Sequence, residues 1–281
     1  MRCLVVADLH YALPKFDWLL QAAPHYDLVV LAGDALDIAS IVDFRAQILV
    51  VRKYLQRICA TTRLIVCSGN HDLDGRGESG EKEARWIGAI DEFCAARDGD
   101  TVVIDDILFT VCPWWDGPLL REALGAQLED DARRRAGRRW VWIHHAPPTN
   151  SPTSWSGSRS LGDAELETWI ARYCPDIVIS GHIHQSPFVR DGSWADRIGT
   201  SWVFNPGFQY GSPPAYIALD FAQMEAVWVS AMDVQTVRLD AALQRPIASA
   251  HEMPAWLGAG RSSAELFYTR LSRTERSASV R

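Results

Sequence analysis

The residues best able to do chemistry in this chain fall into five short clusters. In chain order they are Asp8-Leu9-His10, Gly33-Asp34-Ala35-Leu36-Asp37, Gly69-Asn70-His71-Asp72, His144-His145 and Gly181-His182-Ile183-His184. Six of the eight histidines lie in these clusters and only His25 and His251 lie elsewhere, so the imidazoles are concentrated where the carboxylates are. The donor set is carboxylate, imidazole and one amide, with no thiolate. Such a mixed oxygen and nitrogen set suits Mn, Fe, Zn, Co or Ni rather than a structural zinc cage. Asp8, His10, Asp34, Asn70, His71, His144, His182 and His184 are too many for one ion of this kind. They suit two ions about 3.5–4 Å apart that share a carboxylate. A pair of such ions can clamp phosphate oxygens and ionise a bound water near neutral pH. The chemistry expected is hydrolysis of a phosphoester.

Each cluster terminates an apolar run. Residues 2–7 (RCLVVA), 27–32 (DLVVLA) and 63–68 (RLIVCS) read as strands that run into the first three clusters, and 140–143 and 176–180 as strands that run into the last two. Between the second and third strands, Ile41, Phe44, Ile48, Val51, Leu55 and Ile58 step by three and four, which predicts an amphipathic helix of about five turns. Strand, helix, strand in this rhythm implies parallel pairing, and polar groups at the carboxyl ends of parallel strands converge on one crevice. Asp8 and His10 are two apart, so extended backbone sends both side chains from one face, and His182 and His184 repeat that spacing. Glycines 33, 69 and 181 allow sharp turns beside a ligand. Further helices are expected over 81–96, over 118–136 and around Leu166, Trp169, Ile170 and Tyr173. Residues 101–112 read as two strands joined at Asp105-Asp106. Beyond 187, antiparallel strands are expected near 188–190, 200–204, 215–221 and 226–230, forming a second sheet over the first.

The five clusters, in this order, resemble the calcineurin-like metallophosphoesterase family, whose pattern is D-x-H, G-D-x-x-D, G-N-H-D/E, a lone H and G-H-x-H. The resemblance covers about residues 1–220. It implies an α/β fold, a two-sheet mixed β-sandwich flanked by helices. It also implies that Asp8, His10 and His184 hold one metal, that Asn70, His144 and His182 hold a second, and that Asp34 bridges them. By the same resemblance His71 binds no metal but faces the substrate, stabilising charge or protonating the leaving oxygen, with Asp37 orienting it. Asn70 and His71 thus count with Asp37 as the catalytic set.

Several features admit a second reading. His144 and His145 are adjacent; His144 is preferred because it ends the strand, with His145 orienting the loop before Pro147-Pro148. Asp72 reads as a turn or supporting residue rather than a ligand. Residues 75–80 (GRGESG) match a dinucleotide fingerprint but lack the strand directly before it, and read as a loop beside the site. Trp114-Trp115 and Trp155 lie in loops that could offer a ring to the substrate or simply pack. Asn205-Pro206-Gly207 reads as a loop closing the site, or as a plain turn.

The bulk numbers bound the rest. The 281 residues suffice for one large domain; 48% hydrophobic and 22% charged residues exclude a disordered chain. A net charge of −7 argues against broad nucleic-acid binding, which needs a basic surface. No run reaches the length of a membrane span, and the N-terminal apolar run is too short for a signal peptide, so a cytoplasmic protein without membrane attachment is expected. The six cysteines form no CxxC pair and read as free thiols, mostly buried. Residues 1–235 are expected to form the catalytic domain. Residues 236–281 are read as a partly helical C-terminal extension with a disordered end. Its apolar anchors, Pro254-Ala255-Trp256-Leu257 and Leu266-Phe267-Tyr268, should pack on the catalytic domain or, in a homo-oligomer, on a partner subunit. A small phosphodiester, organic or nucleotide, is the expected substrate, because the strand-end groups include no Lys or Arg to hold a dianion. Phosphomonoesters, phosphoproteins and a non-catalytic scaffold of the same fold are the alternatives.

Overall fold

The computed structural model describes residues 1–90, 95–250 and 253–258. Strands β1 (Arg2–Val6), β2 (Leu28–Ala32) and β3 (Arg63–Cys67) are parallel neighbours in a seven-stranded sheet. All five residues of β2 are buried, as expected of a strand covered on both faces. A two-stranded ribbon, β4 (Gly75–Arg76) with β5 (Lys82–Glu83), precedes β6 (Ala96–Arg97). The second sheet contains β7 (Thr101–Ile104), β8 (Ile107–Cys112), β9 (Arg139–His144), β10 (Ile177–Ile179), β11 (Ala195–Ile198) and β12 (Ser201–Phe204). Strands β13 (Tyr216–Asp220), β14 (Glu225–Val229) and β15 (Val234–Arg238) return to the first sheet. The orders are β15-β14-β13-β1-β2-β3-β6 and β11-β12-β10-β9-β8-β7.

The two sheets face each other across one core, with Val5, Val30 and Ile65 from the first meeting Phe109, Val141, Ile143 and Ile179 from the second. Helices α1 (Leu13–Ala22) and α2 (Phe44–Cys59) cover the outer face of the first sheet through Phe16, Leu19, Val51, Leu55 and Ile58. Two more, α4 (Pro118–Arg134) and α5 (Ala164–Tyr173), cover the second through Leu124, Leu128, Leu166 and Ile170. The chain is thus an α/β two-sheet sandwich flanked by helices.

The strands expected beyond 187 divide between the sheets: no strand forms at 188–190, where Ser186–Phe188 is a short 3-10 turn, and β13 and β14 join the first sheet instead of the second. Two predicted helices also differ. Helix α2 begins at Phe44, because the Asp43 carboxylate accepts the Arg45 and Ala46 N–H groups and caps it there; Ile41 lies outside the helix, fully exposed. Among the described residues, the helix expected over 81–96 reduces to α3 (Arg85–Gly88). Glu83 pairs into the ribbon, and Glu81 turns away to accept the Leu119 and Leu120 N–H groups at the start of α4. Residues 91–94 lie outside the described set. At the far end β15 runs across position 235, so the sheet extends to Arg238. Arg245 then pairs with Asp196 at 2.7 Å. In the last described element, α6 (Ala255–Gly258), Leu257 is buried and Trp256 donates to Glu225. Leu266-Phe267-Tyr268 and the chain end lie outside the described residues.

Candidate metal centre

The side chains of the five clusters meet where β1, β2, β3, β9 and β10 end, but not by the route the spacing suggested. Strand β1 stops at Val6, and Asp8 and His10 sit in left-handed backbone with φ of 54° and 46°. Asp34 (53°) and His182 (66°) share that conformation. It costs on the order of 1 kcal/mol for each residue bearing a Cβ, and such strain concentrates at functional sites. Hydrogen bonds between the turns hold it: Asp8, His10 and Tyr11 donate their N–H groups to Gly33, Asp34 and Ala35 carbonyls at 3.0–3.1 Å. The His182 N–H donates to the Asp8 carboxylate at 3.1 Å. The side chains therefore converge through interlocked tight turns, not along one face of an extended strand.

Three overlapping triads result: Asp8, His10 and His184; His10, Asp34 and His71; and Asp34, His145 and His182. Within each, the potential ligand atoms lie within 4.8 Å of one another. His145, not His144, stands beside Asp34, with Nε2 3.1 Å from its Oδ2. The reason is strand alternation. Trp140, Trp142 and His144 face outward toward the helices, where the His144 ring stacks on Trp115 with centroids 4.5 Å apart. Val141, Ile143 and His145 face the opposite sheet. His145 is held there by Nδ1 donating to the Ala32 carbonyl at 2.7 Å, and a Cβ at Gly33 (φ 91°) would collide with its ring.

Asn70 sits at the same junction, with its Oδ1 buried and without a hydrogen-bond partner. Gly69 leaves room there, because a Cβ on it would strike the Asp34 carboxylate. Asp72 accepts the N–H groups of Asp34, Leu36 and Gly69 at 2.8–3.0 Å, bracing the Asp34 loop from behind. Asp34 Oδ1 accepts the His71 N–H at 2.8 Å. The His71 ring lies edge-on to His10, with Nδ1 3.6 Å from Asp37 and accepting the Ile38 N–H at 3.3 Å.

The electrostatics are those of a site short of positive charge. Burial alone would raise the Asp8 and Asp34 carboxyls, yet the surrounding histidines hold both below the usual range. Burial opposes charging of His145, but Asp34 and Asp8 pull its proton affinity up to about 9. Burial lowers His182 to about 4 and also lowers His10, leaving both neutral as metal coordination requires. Two buried carboxylates, neutral imidazoles and an acceptor amide without a donor fit cations between them. The triads around Asp8 and around His145 would each hold one ion, with Asp34 between them.

Two neighbours escaped the sequence reading. The loop after β12 folds back over the site: Asn205 Nδ2 donates to the Thr153 and Ile183 carbonyls, and Phe208 N–H to the His184 carbonyl. Phe208 thereby stacks on His184 with centroids 4.8 Å apart. On the same ring lies the ammonium of the buried Lys15, 3.6 Å from its centroid. Burial lowers Lys15 to about 8. Across the centre, Trp114 lies 5.2 Å from the His182 ring and 5.8 Å from His145, whereas Trp115 is packed against His144 and Trp169. Trp155 is occupied in donating to the Arg190 carbonyl.

Residues 1–186 match the family model described as calcineurin-like phosphoesterase. None of the curated proteins matches the chain. Among solved structures, the protein TT1561 of Thermus thermophilus is similar over 85% of this chain and 98% of its own, at 14% identity and a TM-score of 0.54. The purple acid phosphatase PPD1 from yellow lupin (Lupinus luteus) seeds is similar over 87% of this chain and 52% of its own, again at 14% identity and a TM-score of 0.54. At that identity the likeness is one of fold. The family match carries more, since it runs from the first strand through the His182–His184 turn. The chain belongs to the calcineurin-like phosphoesterase family and is a hydrolase of phosphoric esters.

Proposed function

We propose that the protein is a phosphodiesterase acting on a small organic or nucleotide diester, with two metal ions held by these turns. Asp8, His10 and His184 would hold one ion, Asn70, His145 and His182 the other, and Asp34 would bridge. Mn, Fe, Zn, Co and Ni all suit this donor set. When bound, such ions supply Lewis-acid polarisation of the phosphoryl group and hydroxide at neutral pH.

The remaining work falls to the chain itself. His71 stands at the edge of the cluster and binds no ion in this reading. Because its Nδ1 accepts the Ile38 N–H, the neutral ring carries its proton on Nε2, placed to donate a hydrogen bond to the charge developing on the leaving oxygen; outright proton transfer there starts from the imidazolium and leaves the ring neutral. Asp37, 3.6 Å from Nδ1, offsets the positive charge of the imidazolium when the ring is protonated. Asp72 keeps the Asp34 turn in register.

The observation that carries the diester reading is the pair of rings flanking the centre, Trp114 beside His182 and Phe208 beside His184. A diester has an organic arm on each side of its phosphorus and a monoester has one. Charge bears on the same choice: among the described residues every ion-pair partner of Asp8 and Asp34 is a histidine, and the ammonium nearest the centre, that of Lys15, is buried over the Phe208 ring instead of paired with a carboxylate of the cluster. A cytoplasmic setting is part of this proposal, supported by free thiols at Cys3, Cys67 and Cys112. No helix among the described residues is long and apolar enough to cross a membrane.

The test is kcat/KM for bis(p-nitrophenyl) phosphate against p-nitrophenyl phosphate with Mn supplied. A ratio above one is expected. A ratio well below one makes the protein a phosphomonoesterase, and loss of neither metal nor turnover in Asp34→Asn removes the bridging assignment.

A further inference from the structure

We infer that the loop 38–42 and the outer face of α2 form a docking surface for an anionic lipid bilayer. This goes beyond the hydrolytic reading and does not depend on which ester is cleaved.

The first observation is apolar exposure. Four of the nine large hydrophobic side chains exposed among the described residues fall within positions 38–49: Ile38 (63% exposed), Ile41 (104%), Val42 (37%) and Leu49 (62%). Ile41 has no packing role, since the Asp43 cap starts the helix beyond it. Three such side chains on one five-residue loop mark a contact surface rather than the scattered exposure normal for a folded protein.

The second observation is charge. Helix α2 carries Arg45, Arg52, Lys53 and Arg57 and no acidic residue. Residues 38–57 therefore hold four cations against the single Asp43, a net +3, while the whole chain is −7 and the remainder −10. At 100° per residue, Arg45, Leu49, Arg52, Lys53 and Gln56 share one face. Gln47, Val51, Leu55 and Ile58 point the other way into the core. Side chains that can enter the acyl boundary, next to cations that meet lipid phosphates, are the components of interfacial binding. A second copy docking through the same patch would set cations against cations. A nucleic acid would gain nothing from the isoleucines. The loop is also coupled to the centre, because the Ile38 N–H donates to His71. Docking here brings the bilayer surface to the rim of the site.

The experiment is co-sedimentation of the full chain with vesicles of phosphatidylcholine, with and without phosphatidylglycerol, which reads binding without turnover. The protein should pellet with the phosphatidylglycerol vesicles and be released by salt. Arg45→Gln with Lys53→Gln should weaken partitioning by roughly fivefold per cation removed, and Ile41→Ser by roughly tenfold. All these side chains are exposed, so the variants should keep the parent Tm. Failure of the unaltered protein to bind either vesicle, or binding unchanged in both variants, overturns the inference. So does capture by soluble polyglutamate without vesicle binding, which marks an acidic protein partner, or a concentration-dependent dimer abolished by Ile41→Ser.

Discussion

The adjacent histidines allow a sharp test, because one substitution made twice should give opposite results. His145→Gln removes the ring that stands between Asp8 and Asp34. Loss of a supporting group around a metal costs about 10–100-fold in affinity, so loss of a ligand itself should cost more than about 100-fold. His144→Gln removes a ring whose main side-chain contact is the Trp115 stack. That is worth about 1 kcal/mol, or roughly 2–4 °C in Tm. Metal content by mass spectrometry and turnover of bis(p-nitrophenyl) phosphate separate the two. A second arm uses metal-free protein. Raising His145 from 6.5 to about 9 contributes on the order of 3 kcal/mol to folding. Because the folded pKa is the higher one, that stability is fully present below pH 6.5 and disappears as pH rises through about 9. The difference in unfolding free energy between the metal-free parent and His145→Gln should shrink across that window. Metal loss in His144→Gln with retention in His145→Gln, or a difference independent of pH, would refute the assignment.

His71→Ala should keep both metals and lower kcat by roughly 10²–10⁴, the range for a lost acid–base group; metal loss would show that it is a ligand. Trp114→Ala should lower kcat/KM for the diester while sparing p-nitrophenyl phosphate, and Trp115→Ala should lower Tm through its contacts with His144 and Trp169; equal losses on both substrates in Trp114→Ala would remove the stacking argument. Cys174 is exposed, whereas Cys3, Cys67 and Cys112 are buried with their thiols pushed up by desolvation. Peptide mapping after brief iodoacetamide treatment of the native protein should find Cys174 modified and those three protected.

The sequence by itself determined the strand–helix–strand core and the convergence of the clusters. An apolar run such as LVVLA has no polar face to expose, so it must be covered on both sides, and the groups that follow it emerge at the sheet's edge. The same property hid the choice between His144 and His145. Trp140, Val141, Trp142 and Ile143 are all buried, so nothing local marks which parity looks toward the other sheet. Only the second sheet decides which ring faces Asp34, by packing Val141 and Ile143 inward and leaving His144 to Trp115. The left-handed turns at Asp8, His10, Asp34 and His182 were equally illegible, since each is held by hydrogen bonds to a residue more than twenty positions away. Lys15, Phe208 and His184 meet from three distant stretches of chain, and no spacing rule joins them. Position 41 shows the converse limit. A three-and-four periodicity marks it as core, but the period says nothing of where a cap begins the helix. The Asp43 side chain sets that start, and so leaves Ile41 in solvent.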